Sequence, residues 1–143
     1  MGKIRLDAEE LRYMALFENI TGAIVKDCID DVENNRLIFV VKSGDMGLAI
    51  GRGGENINRM KMAVDKHIEL IEDSENPVYF IKNAFYPISI QNVNIIQRGD
   101  KHIAYVDIRA NDKGLAIGRG GKNIEKVKKL SLRHHNIEDI IIQ

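Results

Sequence analysis

Apolar residues in the first half of the chain fall into three kinds of run. Leu11, Met14 and Phe17 recur three residues apart, the spacing of one helical face. Asp7 followed by Glu10 supplies a capping box ahead of them, Leu6 can staple onto Leu11, and Gly22 ends the helix. Residues 23–31 alternate weakly, and Asn34-Asn35 marks a hairpin turn before residues 36–43. Within that segment Leu37-Ile-Phe-Val-Val41 is unbroken by polar residues, as expected of a central strand covered on at least one face. Ile57, Met60, Val64 and Ile68 then return at three- and four-residue spacing, which predicts an amphipathic helix over 55–66 and a short strand over 68–73.

The second half repeats this order. Pro77 and Pro87 bracket a segment of helix length, 78–86, with Pro77 suited to the first helical position after an Asn76 cap. Residues 88–96 and 102–110 read as strands joined by the turn Arg98-Gly99-Asp100. A helix follows with Ile124, Val127 and Leu130 or Ser131 inward, and residues 137–142 close the chain as a strand. Each half therefore reads helix, strand, strand, short helix, glycine turn, helix, strand. The pattern is α+β in two domains, 1–74 and 75–143, joined near 73–76 by a connector too short to be flexible.

The repeat is literal at one place. Gly47-Leu-Ala-Ile-Gly-Arg-Gly-Gly54 recurs letter for letter as Gly114-Leu-Ala-Ile-Gly-Arg-Gly-Gly121, 67 residues later. The flanking helices keep their pattern but not their residues, Glu55 facing Lys122 and Met60 facing Val127. An identical turn inside diverged halves points to one binding device used twice.

Composition changes the picture only when the chain is divided. At 44% hydrophobic and 29% charged residues it is an ordinary globular protein, with zero formal net charge over 143 residues. Residues 1–74 hold 10 Lys/Arg against 14 Asp/Glu, hence −4, whereas residues 75–143 hold 11 against 7, hence +4. Each half is small enough to bury only about 60% of its unfolded surface. No apolar stretch approaches the roughly 18 residues of a membrane span, and the N-terminus lacks the apolar core of a secretory signal. A single cysteine, Cys28, fits a reducing cytoplasm and is simplest as a small core residue.

The glycine turn has the chemistry of an anion site. Asp45 and Asp112 stand where each can cap the short helix leading into it. Glycine supplies the positive φ values of a sharp helix-to-helix turn and lets a phosphodiester backbone come close to the main chain. The loop amides and the N-terminus of the next helix favour the same anion, and Arg52 and Arg119 add a forked cation. A solvated glycine cap is the bland alternative for a single copy, and the duplication argues against it. Nucleotide-binding loops fail on spacing. The residue five before Gly121 is Ala116, Lys122 is followed by Asn123 rather than Ser or Thr, and the first copy has Glu55 in the lysine place.

The sequence Ile-Gly-Arg-Gly-Gly-x-Asn-Ile, at 50–57 and 117–124, resembles the signature of KH domains, whose Gly-x-x-Gly loop clamps about four nucleotides of single-stranded nucleic acid. The element order is similar to the type II form. Asn76-Pro-Val-Tyr-Phe-Ile-Lys-Asn-Ala-Phe-Tyr-Pro87 resembles the helix between the tandem KH domains of the NusA-like transcription factor family. Bacterial members carry further polymerase-binding and OB-type domains that this sequence does not match, so the likeness is to the short archaeal form.

The resemblance implies two tandem type II KH domains, each a three-stranded mixed sheet with helices packed on one face. It also implies binding of single-stranded RNA, nascent transcript above all, in transcription elongation or termination, with RNA polymerase as a second candidate partner. Carried onto this chain, Gly51, Arg52, Gly53 and Gly54 and then Gly118, Arg119, Gly120 and Gly121 would grip the RNA backbone. Ile50, Ile57, Ile117 and Ile124 would floor the groove, although helical spacing alone makes plain core the simpler role for them.

Lys122, Lys126 and Lys129, with Lys128 and Arg133, make the second post-loop helix basic, opposed only by Glu125. They are the expected source of salt-sensitive attraction. The histidines at 67, 102, 134 and 135 are too scattered for a metal set, and no cofactor motif is present. No tyrosine or phenylalanine falls in the glycine loops. The chain has no nucleophile–base–orienter set and no paired acid, so no enzyme is expected. A ribosome-associated or ribosome-assembly RNA-binding factor would share these features. So would a module whose acidic half docks on polymerase.

Overall fold

The structure, a computed structural model, describes residues 4–143, so the first three residues of the expected 1–74 domain lie outside it. Contacts divide the described residues into two compact units, Arg5–Ser74 and Glu75–Gln143, with Ile4 grouped with the second.

In the first unit, α1 (Ala8–Thr21) begins on the expected capping box: Asp7 accepts from the Glu10 amide at 2.8 Å while Glu10 accepts from the Asp7 amide at 3.2 Å. Gly22, in the left-handed region at φ 78°, ends it. Glu10 is itself buried and also accepts from the Asp30 amide at 2.9 Å, tying the helix to the strand β1 (Val25–Asp31). After a turn through Asn35 come β2 (Arg36–Val41), the short helix α2 (Met46–Ile50), α3 (Glu55–Val64) and β3 (His67–Glu72). β2 lies in the middle, antiparallel to β1 and parallel to β3. All six of its residues are buried. Leu37, Phe39 and Val41 share a core with Phe17, Ala23, Val25, Cys28, Ala49 and Met60. The Phe17 and Phe39 rings lie 4.4 Å apart between centroids. Burial, with the charges of Glu10 and Asp27 nearby, pushes the Cys28 thiol up to about 12, so it is a protonated core residue and not a nucleophile.

The second unit repeats the topology: α4 (Pro77–Phe85), β4 (Ile90–Arg98), β5 (Lys101–Ile108), α5 (Lys113–Ile117), α6 (Lys122–His135) and β6 (Asp139–Ile142). β5 is central, antiparallel to β4 and parallel to β6. Asn76 caps α4 by accepting from the amides of Val78 and Tyr79, and Pro77 takes the first helical position. Helix α4 packs on α6 and β4. Phe80 is fully buried, with His134 and His135 at ring distances of 5.2 and 4.9 Å. The chain is thus two α+β folds, each a three-stranded mixed sheet with its helices, the architecture that the KH resemblance implies.

Two details differ from the pattern. The helix expected over 55–66 stops at Val64, because Asp65 takes the left-handed conformation (φ 52°) that turns the chain into β3. Helix α6 runs a full turn longer than α3, to an Asn136 cap at φ 55°.

No sequence pattern announced Arg36. At the start of the central strand it is 4% exposed, and it donates to Asp31 at the end of β1 (2.7 Å) and to Glu69 in β3 (2.9 Å). One guanidinium therefore ties all three strands of the first sheet. Burial works against the charge on Asp31, but hydrogen bonds from Arg36 and Asn34 outweigh it and hold the carboxyl below the ordinary carboxylate range.

Replacing Arg36 with Met leaves both carboxylates without this partner. Removing one member of a fully buried pair costs about 3–5 kcal/mol. Because the Asp31 and Glu69 side chains keep 20% and 33% exposure, the expected loss is nearer about 2–4 kcal/mol in chemical denaturation. A carboxyl held low in the folded state contributes stability above its unfolded value, near pH 4, and loses it as pH falls further. The wild-type protein should therefore lose stability below pH 4 more steeply than Arg36→Met.

Candidate nucleic-acid interface

The two glycine turns have the same backbone to within a few degrees. Gly51 lies at φ 77°, ψ 171° and Gly118 at φ 79°, ψ 167°. Gly53 and Gly54 have φ 61° and 79°, and Gly120 and Gly121 have 63° and 79°. In each turn the first glycine donates back to the short helix (Gly51 to Gly47, Gly118 to Gly114), and the last glycine donates to the first at 3.1 and 3.0 Å. A tight one-turn 3-10 segment, Arg52–Gly54 or Arg119–Gly121, delivers the chain into the next helix.

An asparagine after each turn, left without a role by sequence reasoning, holds it shut. Asn56 donates through Nδ2 to the Leu48 carbonyl and Asn123 to the Ala116 carbonyl, each at 2.8 Å. These carbonyls sit at the end of the short helix, where intrahelical partners run out. The duplicated Gly-Gly-x-Asn was the available signal. A β-carbon on Gly51 or Gly118 would stand 2.8–2.9 Å from that same asparagine, backbone nitrogen included.

Gly53 and Gly120 face the other way. A β-carbon on either would meet nothing within 4 Å. Among the described residues, the N–H groups of Arg52, Gly53, Arg119 and Gly120 enter none of the loop's backbone-to-backbone bonds. The helices that follow start on Gly54 and Gly121, which have no side chain to cap them. Each loop thus presents main-chain donors, an uncapped helix N-terminus and an exposed arginine at one surface point.

Asp45 and Asp112 do occupy the N-cap positions, but neither makes the expected side-chain cap bond. Asp45 accepts instead from the Ile24 amide at 2.9 Å, joining the short helix to the chain that enters β1. Ile50 and Ile117 are 41% and 43% exposed, which corrects the plain-core assignment for them. Ile57 and Ile124 are half-buried. Leu48 and Leu115, which sequence reasoning passed over, are also exposed. Only Ala49 and Ala116 of the short helices are buried, because five residues make little more than one turn and bury one narrow face.

The charged residues around the loops differ. Glu55 opens α3 and accepts from Arg59 at 2.7 Å. Lys66 is taken by Asp30 at 2.9 Å, a hydrogen bond that holds its ammonium above the ordinary lysine range. Helix α6 opens instead with the exposed Lys122, and Lys129 is exposed one turn further on than Glu125. Lys122 and Lys126 each have an interaction partner of their own, but Lys126 is only 8% exposed, so it is the worst placed of the three lysines to meet a phosphate. Lys128 lies 3.3 Å from Asp139. Among the described residues no cluster of His, Cys, Asp or Glu could hold a metal ion, and no helix is long and apolar enough to cross a membrane.

Comparison with known proteins places both halves. A KH domain model matches residues 11–100, and a NusA-like second KH domain model matches residues 77–143. The chain is 38% identical over 137 residues to "Probable transcription termination protein NusA" of Halobacterium salinarum, covering 96% of each. It is 35% identical over 140 residues to the protein of that name in Methanocaldococcus jannaschii, covering 98% of this chain and 75% of the relative. The solved structure titled "Crystal structure of APE1850" superposes with a TM-score of 0.83 at 38% identity, over 96% of this chain and all of that one.

The two kinds of glycine should respond differently to substitution. Gly51→Ala or Gly118→Ala forces a side chain into a nearly glycine-only region, costing about 1–3 kcal/mol before the asparagine collision is added. Thermal melting should show a fall of several degrees or more for either. Gly53→Asn or Gly120→Asn, in an open left-handed position that asparagine tolerates, should melt near the wild type.

Proposed function

The chain belongs to the NusA-like family of tandem KH proteins, and from that we propose that it binds an extended single-stranded RNA, nascent transcript, through both Gly-Arg-Gly-Gly loops during transcription elongation and termination. KH domains are RNA-binding modules whose glycine loop clamps the nucleic-acid backbone. The observation that carries the assignment is the matched pair of loops. Each holds open main-chain donors, an uncapped helix N-terminus and an arginine on the same spot, with nothing to bar a phosphate from Gly53 or Gly120. Ile50 with Leu48, and Ile117 with Leu115, put exposed apolar surface on the short helix beside each clamp, suited to the faces of bases splayed away from the backbone. The protein acts as a binding module and carries out no chemistry on the RNA.

The two clamps grip unequally. In the first, Glu55 puts a carboxylate in the first turn of α3, where it competes with phosphate for the helix N-terminus, and it engages Arg59. In the second, Lys122 stands at that position and Lys129 adds charge along the helix. Arg119, Lys122 and Lys129 therefore supply most of the salt-sensitive attraction. Two such sites on one chain raise each other's effective concentration when the RNA spans both.

Gly53→Asp combined with Gly120→Asp places a carboxylate at each clamp on a β-carbon that meets nothing within 4 Å, in a left-handed conformation that Asp tolerates. This double variant should remain folded by circular dichroism and lose single-stranded RNA binding by more than tenfold. A folded double variant with wild-type affinity in titration would sink the assignment. With about four phosphates neutralised, the logarithm of affinity should fall against the logarithm of salt with a slope near −3. Lys122→Ala with Lys129→Ala should flatten it to about −1.5, whereas Lys126→Ala should leave it nearly unchanged.

A further inference from the structure

The helix α4 buries Phe80, Ile81, Ala84 and Phe85 and turns a very different face outward. Tyr79 is 59% exposed and Tyr86, which caps the helix, 80%. They are separated by seven residues, about 10 Å along the axis, so they lie on the same side two turns apart. Lys82 falls between them, its ammonium 5.6 Å from the centre of the Tyr79 ring. The other two tyrosines are partly buried, and each has a cation over its ring: Tyr13 beneath Arg12 and Lys66, Tyr105 beneath Arg98. Tyr79 and Tyr86 stand apart by their exposure, not by lacking a cation, since Lys82 lies over the Tyr79 ring.

We propose that Tyr79, Lys82 and Tyr86 form a stacking platform for unpaired bases of single-stranded RNA, separate from the two glycine loops. The occupant follows from charge and shape. No Asp or Glu occurs in α4, and the nearest carboxylate in sequence, Glu75, precedes the Asn76 cap. The helix itself therefore offers two flat π surfaces and one cation, and contributes no carboxylate to oppose it. That composition matches sequence-tolerant binding of single strands, in which bases stack on aromatic rings while lysine or arginine meets the backbone. It also lies in the half of the chain with an excess of four positive charges. The platform rests on the RNA-binding assignment above and lengthens the path that assignment gives the RNA.

The test uses the full chain and single-stranded oligouridines of increasing length, some carrying 5-iodouridine for photocrosslinking. In the unmodified protein, crosslinks should appear on the tryptic peptides 67–82 and 83–98, which contain Tyr79 and Tyr86. Tyr79→Ala with Tyr86→Ala should bind long oligomers about tenfold more weakly, since one stacked base is worth about that factor or more. It should bind the shortest oligomers that a single loop holds as the wild type does. Tyr79→Phe with Tyr86→Phe should keep full affinity, because stacking needs the ring and not the hydroxyl.

The platform is overturned if neither peptide crosslinks and the alanine variant binds long oligomers normally while Gly53→Asp/Gly120→Asp does not; in that case loop binding stands alone. It is also overturned if the two tyrosines prove instead to be needed for holding a protein partner after nuclease digestion. If the wild-type chain binds no oligouridine at any length, the platform falls together with the assignment it rests on.

Discussion

The candidate site depends on one backbone conformation, adopted twice. At Gly51 and Gly118 the chain turns through positive φ with an extended ψ, a combination that a β-carbon all but forbids. The turn brings the following helix round so that its asparagine side chain reaches the terminal carbonyls of the short helix. The atoms a β-carbon would strike belong to that asparagine. Glycine and asparagine are therefore two parts of one joint, and neither is useful without the other. Gly53 and Gly120 take no part in that joint, since a β-carbon on either meets nothing within 4 Å. What their missing side chains keep clear is space outside the protein, the space the proposed function gives to the RNA backbone.

In the proposed function, the side chains beside each joint set how strongly that loop attracts an anion. The loops match in conformation, but Glu55 and Lys122 occupy equivalent first-turn positions with opposite charge. In the first unit Arg59 and Lys66 are already engaged by Glu55 and Asp30. In the second, an exposed lysine stands directly after the loop. A helix terminus and its first turn interact over short distances and weaken quickly with salt, which is why the proposed difference between the loops rests on this exchange. The overall neutrality of the chain describes neither loop.

The first unit also shows how a small domain accommodates charge it cannot leave in water. Glu10 completes a helix cap and accepts from a strand amide, and Arg36 joins three strands through Asp31 and Glu69. A buried charge is tolerated only where nearly all of its hydrogen-bonding capacity is met. Arg36 therefore constrains the register of β1 and β3 against β2 as well as contributing energy. The second unit has no equivalent at the start of β5, where Lys101 is exposed.

Much of this was readable along the chain because it is local. The Asp7–Glu10 box, the Asn76-Pro77 helix start, the apolar run of β2 and the two glycine turns each depend on residues within a few positions of one another. Spacing and backbone preference suffice to define them. The helix expected over 55–66 ended two residues early where a left-handed Asp65 stopped it, and several strand ends shifted by a residue or two. Which side chains end up in water was not local. Lys126 is buried and Lys129 exposed on the same basic helix; Ile50 and Ile117 are exposed although their spacing suits a core; Arg36 is enclosed by partners up to 33 residues away. The sequence by itself determined the order of elements and the repeated loop, since backbone conformation answers to near neighbours. Burial and charge pairing were decided only by the tertiary structure, because they depend on which distant segments come together.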